Sequence, residues 1–156
     1  AASRSWTSSW RTAWNRPRAE KLGHRLFAYG TLRAPEVMRA VAGQDFEHID
    51  ASLPAHTAYR VLAEDYPALI PERRGRTDGT LWWGLDERAL RRLDRFEGEL
   101  YVRKRVRVET GGGRCMAWVY LLRPLYRGRL SGQPWDYRGF REAAMARYLG
   151  SGNGRG

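Results

Sequence analysis

The sequence predicts an α+β domain built on a mixed sheet, mostly strand, with two or three short helices. Three observations predict it. Apolar runs of strand length recur between Pro and Gly punctuation, as at residues 25–29 and 80–85. One segment, 87–97, carries a helical period instead. A triplet, Gly111-Gly112-Gly113, separates two further runs of strand character.

Each element follows from its residues. Residues 25–29 (RLFAY) form a short apolar run ended by Gly30, the pattern of a buried strand entering a tight turn. Pro35 suits the first turn of a helix, with Val37, Met38 and Val41 on one face and Gly43 as its stop. From 46 to 70 strands are expected, broken at Pro54 and Pro67. Residues 80–85 (TLWWGL), just after Asp78-Gly79, read as another strand. Asp86 is the expected N-cap of a helix over 87–97. Strands over 101–109 and 115–122 follow, and the glycine triplet between them supplies the positive φ angles of a hairpin. Residues 137–149 place Phe140, Ala143, Ala144, Arg147 and Tyr148 at helical spacing.

Composition sets the organisation. A chain of 156 residues with 42% hydrophobic and 29% charged residues is long enough for one packed core. One domain is expected over 25–150, preceded by a basic, poorly ordered extension over 1–24 and followed by a flexible Gly-rich tail over 151–156. The extension carries Arg4, Arg11, Arg16, Arg18 and Lys21, with Trp6, Trp10 and Trp14 at i, i+4, i+8. Such a start is similar to an organelle transit segment or a basic membrane-surface helix. No apolar run approaches the ~20 residues of a membrane span, so a cytoplasmic domain is expected. The lone Cys115 excludes an internal disulfide and a cysteine zinc cage, and His24, His48 and His56 lack ligand spacing, so no metal is expected. The net charge is +11, and only Lys21 and Lys104 of the cations are lysines. That charge attracts nucleic acid nonspecifically, and no nucleic-acid-binding motif accompanies it.

Two constellations carry candidate chemistry. On a wheel of the 87–97 helix, Ala89, Leu90, Leu93 and Phe96 share one side, and Arg88, Arg91, Arg92, Asp94 and Arg95 the other. Glu97 falls in the apolar arc, where burial raises a carboxyl toward the range of a general base. The competing reading ends the helix at Phe96, with Gly98 as stop and Glu97 in solvent. The second constellation is Tyr29-Gly30-Thr31-Leu32, where a strand breaking at glycine leaves backbone N–H groups free to hold an anion. Tyr101 and Arg103 open the strand after the Glu97 helix, with Arg103 in reach of a substrate carboxylate.

Together these segments resemble the γ-glutamylcyclotransferase-like family. The likeness is carried by residues 27–33 (FAYGTLR) and by 93–98 (LDRFEG) followed by Tyr101, Arg103, Val106 and Val108. Residues 66–70, 79–81, 117–120 and Ser131-Gly132 with Trp135 extend it in consistent order. The resemblance implies a small closed mixed β-barrel flanked by short helices. It implies a cofactor-free enzyme that releases 5-oxoproline from a γ-glutamyl amine or γ-glutamyl peptide. Glu97 matches the family's acid/base, and Tyr29, Gly30, Thr31 and Leu32 match its substrate loop. A non-catalytic member binding a small acid or a protein is the alternative, and a nucleic-acid or membrane-surface binder is a second.

Overall fold

A computed structural model describes residues 23–143 of the chain. Strand β1 (His24–Ala28) leads through a 3₁₀ turn (Thr31–Arg33) into helix α1 (Pro35–Ala42). Two long strands follow, β2 (Glu47–Val61) and β3 (Pro67–Leu85), then helix α2 (Glu87–Glu97). The hairpin β4 (Tyr101–Thr110) and β5 (Gly113–Leu122), a 3₁₀ segment (Pro124–Arg129) and β6 (Leu130–Pro134) complete the order. A helix enters at 137 and reaches 143, where the described residues end; the rest of the 137–149 prediction, residues 1–22 and the 151–156 tail lie outside them. Among the described residues no helix is long and apolar enough to cross a membrane.

The ladders close on themselves. β1 pairs antiparallel with β3, β3 with β2, β2 with β4 and β4 with β5, and β5 returns to β1 in parallel at Leu26↔Trp118. β6 adds to β2 outside this ring. The expected mixed barrel with short helices is therefore the fold.

Side-chain alternation divides the core in two. Phe27, Ile49, Leu53, Leu69, Leu81, Val108 and Val119 fill the ring. Their neighbours on the other face, including Leu26, Ile70, Trp82, Tyr120 and Leu122, meet Met38 and Ala42 of α1 and Leu90 and Leu93 of α2. Strand β1 is thus buried on both faces, which is why its run reads as continuously apolar.

Two expected breaks are not breaks. β2 continues through Pro54, and the pairing with β3 slips between Pro54↔Arg76 and His56↔Pro71. Pro54 has no N–H for the ladder, and Ala55, at φ 60°, takes up the bulge. Asp78-Gly79 likewise lies inside β3. A Cβ at Gly79 would strike the Ala28 carbonyl and the Phe27 ring, so this glycine serves close packing and not a turn. β6 and the 3₁₀ segment before it were not expected from the sequence.

Candidate active site

Helix α2 delivers Glu97. Its N-cap is Asp86, whose carboxylate accepts the Ala89 N–H at 2.8 Å. Ala89, Leu90 and Leu93 bury its inner stripe. The helix includes Glu97 as its last residue and stops at Gly98, at φ 76°, whose N–H reaches the Asp94 carbonyl at 3.0 Å. Of the two readings of this end, the one that keeps Glu97 in the helix holds. Phe96 departs from the expected stripe: it is 48% exposed, because the helix ends at the lip of a cavity with little beyond to cover the ring.

That cavity measures about 320 Å³ and brings the two constellations together. Residues 26–32 form one wall, and Phe96, Glu97 and Leu100 another. Tyr66, Pro67, Tyr101 and Tyr120 complete it. Tyr29, Gly30, Thr31, Leu32, Glu97 and Tyr101 of the expected site all line this cavity. Gly30 is required by proximity: a Cβ there would lie 2.8 Å from Cγ and 3.0 Å from Cδ of Pro67. The 3₁₀ turn that follows leaves its leading N–H groups without intrahelical partners.

Arg103 is not brought to the cavity. Its Nε and Nη2 donate to the two Asp94 carboxylate oxygens at 2.8 and 3.2 Å, and its guanidinium lies over the Trp118 ring at 4.3 Å. Asp94 also accepts the Tyr120 hydroxyl at 2.7 Å. Burial works against the Asp94 charge, but the Arg103 and Tyr120 hydrogen bonds outweigh it and hold the carboxyl below its ordinary value. Sequence reasoning missed Asp94 as a support, and missed Tyr66, Leu100 and Tyr120 as lining. Tyr120 shares β5 parity with Leu122, which points both toward α2, and that alternation was the available signal.

The electrostatics single out one group. Burial pushes the Glu97 carboxyl from the ordinary carboxylate range up to about 7. Among the described residues no hydrogen bond to that carboxyl offsets the loss of water. Three of the four lining tyrosines, Tyr29, Tyr101 and Tyr120, are held away from ionisation. Tyr29 is raised by burial first, then by Tyr101 and Glu97; Tyr101 and Tyr120 are raised chiefly by burial. Their protons are committed: Tyr29 donates to the Tyr120 carbonyl and Tyr101 to the Pro67 carbonyl, both at 2.6 Å. Cys115 is buried, and burial pushes its thiol up, away from nucleophile chemistry.

The fold and this cavity define a small α+β barrel protein whose cavity holds one carboxyl raised above the ordinary carboxylate range. Residues 26–137 match the family described as "Gamma-glutamyl cyclotransferase, AIG2-like", and the chain belongs to that family. AIG2-like protein C of Arabidopsis thaliana is 33% identical over 88 residues, which cover 56% of this chain and 51% of that one. The chain thus spans about half the length of the curated relatives it matches. The fold is shared with a solution structure of another Arabidopsis thaliana protein, at TM-score 0.68 and 21% identity, covering 86% of this chain and 92% of that one. A solved protein named gamma-glutamyl cyclotransferase matches at TM-score 0.57 and 18% identity, covering 65% of this chain and 67% of that one.

Proposed function

We propose that the chain releases 5-oxoproline from a γ-glutamyl amide, with Glu97 as the acid/base. The observation that carries this reading is a carboxyl raised to about 7 in the same cavity as residues 29–32. The α-amine of the substrate attacks its own γ-carbonyl. One C–N bond forms, the C–N bond to the departing amine breaks, and the proton from the α-amine passes through Glu97 to the leaving nitrogen. A group balanced near neutral pH does both halves of that transfer well.

Ring closure is intramolecular, so most of the acceleration comes from holding the substrate in a reactive conformer. Effective molarities for such closures reach roughly 10⁵–10⁸ M. The leading N–H groups of the 3₁₀ turn after Gly30, which lack intrahelical partners, offer a site for the α-carboxylate or the developing oxyanion.

The test is turnover of γ-glutamyl amides by the whole chain, read as 5-oxoproline. Glu97→Gln keeps the shape and loses the proton acceptor, so turnover should fall on the order of 100-fold or more. Circular dichroism checks the fold. Glu99→Gln, past the Gly98 stop and exposed, is the control. A folded Glu97→Gln protein with wild-type turnover sinks the assignment.

A further inference from the structure

Between β2 and β4 the ring closes by a single ladder pair, Ser52↔Glu109. Continuing that register would set Pro54 opposite Arg107, and Pro54 has no N–H to give. The bulge at Ala55 then keeps β2 on β3, where His56↔Pro71 resumes the pairing. Over 102–107, β4 has its ladder to β5 and, among the described residues, no strand paired on its other side. Alternate residues of an antiparallel ladder turn their N–H and C=O groups away from the partner, so this edge presents unpaired backbone groups.

The side chains along the edge carry one sign of charge. Lys104, Arg105 and Arg107 are exposed, and among the described residues none of the three is ion-paired. The carboxylates beside them are taken: Asp94 by Arg103 and Tyr120, and Glu109 by Arg76 at 2.7 Å and Arg114 at 4.0 Å. Strand alternation puts Arg105 and Arg107 on one face, and Lys104 on the other between the partly buried Val102 and Val106. Edge charges keep other strands away, but that guard discriminates by sign. A second copy of β4 would oppose cation to cation, which disfavours self-pairing. A nucleic-acid strand would meet the charges and leave the amides unpaired. An acidic extended peptide satisfies both.

We propose that the β4 edge over 102–107 takes an acidic segment of a partner protein as an added strand. Directly opposed residues share a face, so acidic residues stand opposite Arg105 and Arg107 and apolar ones opposite Val102 and Val106. Residues 102–107 do not line the Glu97 cavity, so this edge and the reaction there are tested separately.

The probe is a fluorescent peptide of alternating Glu and Val, titrated into the whole chain by anisotropy. It should bind about 10-fold more tightly than a peptide of the same composition with Glu and Val in separate blocks. Two N-methylated versions block the two sets of alternate amides in turn; one should lose binding about 10-fold and the other keep it. Amide hydrogen exchange of the chain should slow over 102–107 when the peptide is bound. The double variant Arg105→Glu with Arg107→Glu should weaken the Glu-Val peptide about 10-fold or more and gain affinity for a Lys-Val peptide. Lys104→Glu, a single exposed change, should weaken it several-fold and serves if the double variant is unfolded by circular dichroism. Equal binding of the block peptide, or of both N-methylated versions, means attraction by charge alone and overturns the proposal. So does an oligothymidylate strand that protects 102–107 where the peptide does not, or a peptide that fails to bind.

Discussion

Asp94 stands one helical turn before Glu97, and periodicity alone puts it toward solvent. Its carboxylate instead joins Arg103 to the Tyr120 hydroxyl, and the Tyr120 ring lines the cavity. Asp94→Asn weakens three charge-assisted hydrogen bonds, two from Arg103 and one from Tyr120. We expect kcat/KM for 5-oxoproline release to fall about 10-fold, against no change for Glu99→Gln; equal activity of the two variants would contradict the support role. Glu97 makes a separate prediction about stability. Its carboxyl is raised to about 7 when folded, from an ordinary value of 4.5. Between those values the folded chain keeps a proton that the unfolded chain releases, so stability from this group is present at low pH and is lost as pH rises toward 7. Thermal melts of wild type and Glu97→Gln should therefore diverge from about pH 5 to about pH 8, the variant gaining. Parallel curves would mean that the carboxyl is not desolvated.

Helix α2 is where local sequence and structure agree most closely. Asp86 caps it, Gly98 ends it, and the stripe between them is read correctly up to Leu93. Local signals suffice because a cap, a period and a stop each act within one turn. They fail at Phe96, whose surroundings are set by a cavity built from distant strands. They fail again at Pro54 and Asp78-Gly79, which read as punctuation but are absorbed by a bulge and by the packing of Phe27. In the site, Glu97 and residues 29–32 were legible from their own segments. Tyr66, Leu100 and Tyr120 were not, since only closure of the ring brings them to the same cavity. The Arg103 side chain was expected at the substrate and is held by Asp94. Gly98 tests the element: at φ 76° and ψ −162° its backbone lies in a region open essentially to glycine, and nothing crowds the site where a Cβ would go. Gly98→Ala should cost about 1–3 kcal/mol in denaturant unfolding and lower turnover by re-aiming Glu97. Unchanged stability would show that the helix end relaxes freely.

Across the whole molecule, the barrel wall tolerates little added volume where β3 crosses β1. Gly79→Ala would drive a methyl group into the Ala28 carbonyl and Phe27, and should lower the unfolding midpoint by the equivalent of about 1–3 kcal/mol. A variant as stable as wild type would show that β1 and β3 can separate there. Removal of residues 1–22 should leave cooperative unfolding intact, because the described pairing starts with His24↔Leu85; a broad, non-cooperative melt would show otherwise. The ring also orders events in time. The loop that carries Tyr29 follows the first of the described strands, yet the Tyr29 hydroxyl waits for a carbonyl 91 residues downstream. During synthesis β1 emerges with both edges unsatisfied and cannot settle until β3 and β5 have left the ribosome. A nascent chain is therefore without this cavity until nearly the whole barrel has been translated, and the cavity is completed in the same step that seals the wall.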